Sequence, residues 1–270
     1  MNCRPKYNFK GIAREKLLGK YTVMLSAILI VQLIYFVVGS ISAKVVDRSS
    51  VTGMIIYSAI SVITGLIGAV FTLGEKAMYM KIACKDKVKV TDIFEGFKGH
   101  ADKAIIVQFF IAVKCILFLI PAGVTLILLI YKGGGFDPSV SFGTQLENSL
   151  VNSHNVPLIL MLVVFIIFGL VGLIYVRLVT SQCFYVMLDY PDEAPMSVMQ
   201  KGRDMMKGRL GIYLYLVLSF VPIILLGILS LGVAFVYIEP YMGMTLTEYY
   251  MNIAGVDGGK GENIDIIISE

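Results

Sequence analysis

Three charged residues interrupt otherwise apolar runs of this sequence, and they are the side chains best placed to do chemistry. Lys114, Arg177 and Glu239 each lie within a stretch of predominantly hydrophobic residues. A charged side chain inside a membrane-spanning helix costs free energy unless it is paired or reaches water. Residues of this kind mark intramembrane ion pairs, or pathways for ions and polar substrates.

The depths of these three charges predict that they lie near one another. Each is 11 or 12 residues from the cytoplasmic end of its predicted helix. We therefore expect Glu239 to pair with Arg177, with Lys114 nearby, inside the helix bundle or in a cavity open to the cytoplasm. Two alternatives stay open. The side chains of Lys114 and Arg177 can extend to the lipid headgroups of the inner leaflet. An ion pair can also be structural rather than part of a transport site.

The sequence contains no pattern of a known catalytic or cofactor site. HExxH, GxSxG, GxGxxG and Walker motifs do not occur, and the four cysteines form no CxxC pair. The two histidines, His100 and His154, fall in links predicted on opposite sides of the membrane, so they cannot share a metal ion. We therefore predict that the protein is not an enzyme and has no catalytic residues, metal or cofactor.

The composition requires lipid as part of the solvent. Hydrophobic residues make up 57% of the 270 residues, the mean hydropathy is +0.81, and only 16% are charged. Soluble domains typically contain about 25% charged residues. A water-soluble fold of this size cannot bury so much apolar surface, so the sequence predicts an all-α polytopic transmembrane helical bundle.

Six apolar runs are long enough to cross a bilayer. They are residues 21–43, 51–73, 104–131, 156–176, 211–228 and 231–251. The last two come from one 41-residue stretch, which as a single helix would measure about 60 Å, twice the hydrocarbon thickness. We place a reversal at Gly227–Gly232, with one long tilted helix as the alternative. Glu75 and Lys76 follow the second run, and we expect them at the interface without a function.

The distribution of basic residues predicts the orientation. Eighteen Lys and Arg residues fall in the N-terminal segment, the tail and the links on one side, and only three fall on the other. Because cytoplasmic links are enriched in Lys and Arg, we expect both termini in the cytoplasm. The chain then divides into a basic segment with an amphipathic helix (1–20), a six-span membrane domain (21–252) and a glycine-rich acidic tail (253–270).

A weak threefold repeat runs through the membrane domain. Each unit begins with an amphipathic stretch and a step that combines glycine with a basic residue, and a pair of spans follows. The three stretches are Phe9–Lys20, Asp92–Gly99 and Ser197–Gly208. We interpret them as short interfacial helices on the inner leaflet, with the solvated linker helix as the alternative. The fold is therefore predicted as three helix-plus-hairpin units.

Several motifs resemble those of a known family. They are Asp92–Lys98, Met199–Gly208, Leu226–Gly232, Pro240-Tyr241 and Glu248–Tyr250. Together they resemble an uncharacterised family of six-span membrane proteins of Gram-positive bacteria, the domain of unknown function with family number 975, over about residues 8–252. The chain lacks the tryptophans that the family often has. The resemblance implies the membrane fold and topology, and brings no reaction, substrate or site residue.

Two classes of function follow from these observations. The first is a non-catalytic membrane accessory or scaffold protein, and the second is a transporter of a small molecule, ion or lipid with a site at the three intramembrane charges. The expected partners are the lipid bilayer, anionic headgroups of the inner leaflet and a further membrane protein, but not nucleic acid. The expected location is the bacterial plasma membrane.

Overall fold

A computed structural model describes residues 8–46, 51–99, 101–132, 144, 147, 156–232 and 234–257, which contain helices and no strand. The α-helices are α1 (Phe9–Leu17), α2 (Tyr21–Val45), α3 (Val51–Ala83), α4 (Ala101–Lys132), α5 (Val156–Thr180), α6 (Cys183–Asp189), α7 (Pro195–Met206), α8 (Leu210–Leu218), α9 (Val221–Leu229) and α10 (Phe235–Asp257). A 3₁₀ helix covers Val90–Phe97. The predicted all-α class is confirmed for these residues.

Five helical stretches within the described ranges are long and apolar enough to cross a membrane. They are Tyr21–Val45, Ile55–Ala83, Ala101–Lys132, Val156–Asp189 and Leu210–Leu229. The predicted sixth span falls on α10, and the C-terminal half of this helix carries buried polar side chains such as Thr245, Thr247 and Glu248. The sixth span and the three-unit arrangement therefore stay predictions. The reversal was expected at Gly227–Gly232, and α9 ends within that stretch, at Leu229, while α10 begins at Phe235.

The helix α3 continues ten residues beyond the end expected from hydropathy. Its extension carries Glu75 and Lys76, and Met78, Tyr79 and Ile82 on the same stretch are buried. These apolar residues recur at helical spacing, so the extension has a face that packs against the rest of the protein. The two charges consequently lie on a helix rather than in a link.

The chain forms two compact units. One contains residues 1–108 and 180–270, and the other contains residues 109–179. Within the second unit α4 and α5 approach closely at Gly172, where an added Cβ atom would lie 2.3 Å from the ring of Phe118. Small residues at such crossings let two membrane helices pack backbone to side chain.

In the first unit, the apolar face of α1 packs against neighbouring helices. Phe9, Ala13 and Leu17 are buried, and α1 contacts α10 and α3. The Lys16 ammonium lies 2.7 Å from the carboxylate of Glu248 in α10, and the Lys10 ammonium donates to the backbone oxygen of Ser219 (3.0 Å). The apolar face of this helix is covered by neighbouring helices, and its expected position as an amphipathic helix on the inner leaflet stays a prediction.

Two of the three amphipathic stretches join the following helix through the same tight turn. Leu18 (φ −56°, ψ 125°) precedes Gly19 (φ +77°), and Lys207 (φ −60°, ψ 128°) precedes Gly208 (φ +74°). These angles define type II turns, which require a positive φ at the third position. Glycine occupies that position because it has no Cβ to clash there. The glycine of the repeated motif is therefore a backbone requirement.

We expect Gly19→Ala and Gly208→Ala each to lower the unfolding free energy by about 1 kcal/mol, because alanine is strained at positive φ. No atom lies within 4 Å of the Cβ that either substitution adds, so the backbone alone sets the effect. Thermal unfolding in detergent, followed by far-UV circular dichroism, measures it. Gly211→Ala is the control, since Gly211 also has open space but lies in a helix. Equal melting temperatures for all three variants would refute the turn requirement.

Candidate functional site

A polar cavity of about 160 Å³ lies between α2, α3, α10 and the 3₁₀ helix of the first unit. Its polar lining residues are Gln32, Tyr35, Thr72, Glu75 and Glu239. Apolar side chains, including Ile28 and Phe71, complete its wall. A concave site with a few converging polar groups among apolar ones is the usual form of a ligand site.

Local packing positions the polar lining residues on α2 and α3. Gly68 lets α2 approach α3, because an added Cβ would lie 2.4 Å from the Tyr35 hydroxyl oxygen. The Thr72 hydroxyl donates to the Gly68 carbonyl (3.0 Å), which orients its oxygen lone pairs away from its own helix backbone. Glu75 follows Thr72 by three residues and is therefore on the same helix face.

One ammonium group lies beside the two carboxylates of the cavity. The Lys76 Nζ atom lies 5.7 Å from the ring centre of Tyr79 and 5.3 Å from that of Tyr185, and it interacts electrostatically with Glu75 and Glu239. Cation–π contacts of this length stabilise a cation away from water. With all three groups ionised, Glu75, Glu239 and Lys76 carry one excess negative charge.

A buried tyrosine borders this charged group. Tyr79 is fully buried, and the Glu75 carboxylate one turn earlier interacts with its hydroxyl group. Its ring lies against Gly243 of α10, where an added Cβ would be 2.4 Å from the ring. Tyr79 thereby holds α10 at a fixed position beside α3.

Further tyrosines connect α6 with α10. The Tyr185 and Tyr250 rings stack with centres 4.8 Å apart, the Tyr185 hydroxyl shares a hydrogen bond with Thr247 (2.9 Å), and the Tyr250 hydroxyl donates to the Asp189 carboxylate. Stacked rings with paired hydroxyl groups form a rigid support. These contacts fix the helix that carries Glu239.

The three charges expected from the sequence have different surroundings. Glu239 is exposed at the border of the cavity, and its carboxylate interacts electrostatically with Glu75 and Lys76. Lys114 and Arg177 belong to the second unit, where both side chains are exposed. The pairing of Glu239 with Arg177 stays a prediction.

Glu75 and Lys76 are the site residues that sequence reasoning missed. The expectation that they are interfacial and without a function assumed that the helix ends near Leu73. The apolar side chains of Met78, Tyr79 and Ile82 give the signal that identifies the longer helix, because they continue its hydrophobic face past the charges.

A family model described as "Protein of unknown function (DUF975)" matches residues 1–257. The chain belongs to this family. No curated protein and no solved structure matches the chain. The family expected from the motifs is therefore confirmed. The membership carries no activity with it, and the restriction to Gram-positive bacteria stays a prediction.

Proposed function

We propose that this member of the DUF975 family is a non-catalytic membrane protein that binds a small monovalent cation in the Glu75–Glu239 cavity and moves it across the bilayer. The observation that carries the proposal is a cavity between apolar helices with two carboxylates on its lining. Ionisable residues at such positions mark ion pathways in membrane proteins, because an unused charge there is costly.

The cavity favours a cation of single charge. Carboxylate, amide and hydroxyl oxygens are the ligands that hard cations prefer, and Glu75, Glu239, Gln32, Tyr35 and Thr72 supply them. Lys76 offsets one of the two carboxylates, so one negative charge is left for a ligand. A cavity of about 160 Å³ has room for a small ion with some of its water.

Sodium binding tests this proposal. We expect NaCl to raise the melting temperature of the purified protein above its value in choline chloride at equal ionic strength, since a ligand that binds only the folded state stabilises it. Glu75→Gln and Glu239→Gln should each weaken the apparent sodium affinity at least tenfold, about 1.4 kcal/mol. Potassium chloride, measured alongside, tests selectivity.

The matched control is Glu15→Gln, which removes an exposed carboxylate from α1, away from the cavity lining. It should keep the sodium affinity of the natural chain. Sodium uptake into proteoliposomes then separates transport from binding alone. Identical salt responses in the natural chain and the Glu75→Gln, Glu239→Gln double variant would refute a cation site.

The accessory or scaffold role is the second candidate function. Lys114 and Arg177 are exposed on helices that are otherwise apolar, and such charges require a partner protein or headgroups to receive them. This role predicts that cations do not change the melting temperature of the protein. It also predicts that Lys114 and Arg177 lie in a contact with another protein. We propose the bacterial plasma membrane as its location in either case, with both termini cytoplasmic and anionic lipid on that side.

A further inference from the structure

A second cavity of the first unit has the size of a small-molecule site. It measures about 400 Å³ and lies between α6, α7 and α10. Ligand pockets in proteins typically enclose about 300–1,000 Å³. None of its lining residues borders the Glu75–Glu239 cavity, so the two are separate sites. We call it the Asp189 pocket, after the carboxylate that lines it.

Close contacts between the three helices hold the Asp189 pocket open in one shape. An added Cβ at Gly202 of α7 would lie 3.0 Å from the Cys183 Sγ atom of α6, so these helices pack directly on each other. The ring of Tyr250 in α10 stacks on the ring of Tyr185 in α6, with centres 4.8 Å apart. A ligand therefore meets walls that are already formed, which lowers the cost of binding.

The lining of the Asp189 pocket combines apolar and charged side chains. Val186, Met205 and Ala254 provide apolar surface, one from each of the three helices. Asp189 lines the pocket at the end of α6. An apolar wall with a few polar groups suits a ligand that has an apolar body and a charged end.

The charged groups on the α7 side of the pocket already have partners. The Lys201 ammonium pairs with the Glu193 carboxylate and lies 4.1 Å from the centre of the Tyr190 ring. The Asp204 carboxylate lies 2.7 Å from the Lys207 ammonium. These two lining residues are therefore neutralised by the protein itself.

Asp189 differs from them because its partner is neutral. Its carboxylate accepts a hydrogen bond from the Tyr250 hydroxyl. In the part of the chain that the structure describes, no lysine or arginine side chain forms an ion pair with it. An ionised carboxylate has about four acceptor positions, and Tyr250 fills one of them. Asp189 thus offers the pocket a negative charge and acceptors for further hydrogen bonds.

The aromatic rings of the pocket favour a cation that carries N–H groups. A quaternary ammonium has no N–H and depends on the faces of aromatic rings. One face of the Tyr250 ring is covered by Tyr185, and the Tyr190 ring is already in contact with Lys201. A primary ammonium instead donates charge-assisted hydrogen bonds, for which Asp189 has acceptors.

We propose that the Asp189 pocket binds a small primary amine with an apolar body, whose ammonium group pairs with the Asp189 carboxylate. The apolar body lies against Val186, Met205 and Ala254. A soluble amine and the headgroup of phosphatidylethanolamine both carry such an ammonium group. The site goes beyond the cation cavity, since it shares no residue with that cavity.

Calorimetric titration of the purified full-length protein with hexylamine hydrochloride tests the proposal. We expect saturable binding, and Asp189→Asn should weaken it at least tenfold. Asparagine keeps an oxygen that accepts from Tyr250 and removes only the charge. Asp192→Asn is the matched control, because Asp192 is an exposed carboxylate three residues later that does not line the pocket. It should keep the affinity of the natural chain. Equal affinities of the natural chain and the D189N variant, or no saturable binding, would overturn the site.

The ammonium type is tested with hexyltrimethylammonium chloride on the natural chain. We expect its affinity to be at least tenfold lower than that of hexylamine, because its nitrogen cannot donate to Asp189. Equal affinities would overturn the assignment of a primary ammonium.

A second variant tests the location without changing any charge. Ala254→Leu places a larger side chain in the pocket and should weaken hexylamine binding at least tenfold, with an unchanged far-UV circular dichroism spectrum. The Glu75→Gln, Glu239→Gln double variant should keep the hexylamine affinity, because its substitutions lie in the other cavity. Loss of hexylamine binding in that double variant, with full binding in A254L, would place the amine in the cation cavity and refute the proposed location.

Nanodiscs distinguish the two sources of the ammonium group. Hexylamine is titrated into the protein in phosphatidylcholine nanodiscs with and without phosphatidylethanolamine. A lower apparent affinity in the presence of phosphatidylethanolamine would identify its headgroup as the occupant, since it competes for Asp189. Equal affinities in the two bilayers would assign the pocket to a soluble amine. Both results keep the primary ammonium as the group that Asp189 binds.

Discussion

Gly74→Ala is expected to lower the unfolding free energy by about 3 kcal/mol or more, because the added methyl group has no space. A Cβ at Gly74 would lie 2.0 Å from the backbone oxygen of Ile93, and one at Gly96 would lie 2.1 Å from the backbone oxygen of Val70. Both obstacles are main-chain atoms, so no side-chain rotation relieves the clash. Overpacking of this kind typically costs about 1–3 kcal/mol and sometimes more.

The same pair of glycines fixes the 3₁₀ helix against α3. Gly96→Ala should therefore destabilise the protein as much as Gly74→Ala, and both should displace Ile93 from the cavity wall and weaken sodium binding. Gly65→Ala is the control on the same helix, because no atom lies within 4 Å of its added Cβ. Denaturation in mixed micelles gives the free energies. Unchanged stability of the Gly74→Ala variant would show that the two elements are not in this close contact.

Replacing Lys16 by methionine is expected to destabilise the protein by about 3 kcal/mol, because it leaves the carboxylate of Glu248 buried without its partner. The two groups are 2.7 Å apart, and the side chain of Glu248 is only 3% exposed. Removing one partner of a buried ion pair costs about 3–5 kcal/mol, and the partial exposure of Lys16 places the effect at the lower end.

A double variant separates the ion pair from the cost of a lone buried charge. Lys16→Met combined with Glu248→Leu should recover most of the loss, since two apolar groups replace the pair. The exposed Lys207–Asp204 pair is the comparison, and Lys207→Met should leave the unfolding free energy unchanged within the error of the measurement. Additive losses in the double variant would contradict a direct interaction between α1 and α10.

The sixth predicted span, residues 231–251, stays a prediction, because it falls on α10, which is not among the five described stretches long and apolar enough to cross a membrane. Hydropathy treats residues 231–251 as a span, since Val233, Ala234 and Phe235 raise the average near its start. The polar residues Thr245, Thr247 and Glu248 instead lie in the packed core of the first unit. Apolar composition records that a residue avoids water, but it does not distinguish burial in lipid from burial in protein.

The candidate site was foreseen only in part. Glu239 was identified because a lone charge in an apolar run is conspicuous, and it borders the cavity. Glu75 and Lys76 were missed because a charged pair after an apolar run normally marks the end of a span. Their role depends on Tyr185 and on α10, which approach α3 from distant parts of the sequence. No local pattern reveals such contacts.

The sequence by itself determined the solvent and the element type. Its long apolar runs require hydrocarbon around them, and continuous runs of about 20 apolar residues have the length and pattern of membrane-spanning helices. It also revealed the repeated motif that combines glycine with a basic residue, and the structure adds that Gly19 and Gly208 of this motif adopt a positive φ. The tertiary structure decided which apolar faces pack against other helices and where the carboxylates of Glu75 and Glu239 converge. These properties depend on contacts between helices far apart in the chain, and the free energy of such contacts is absent from any local pattern.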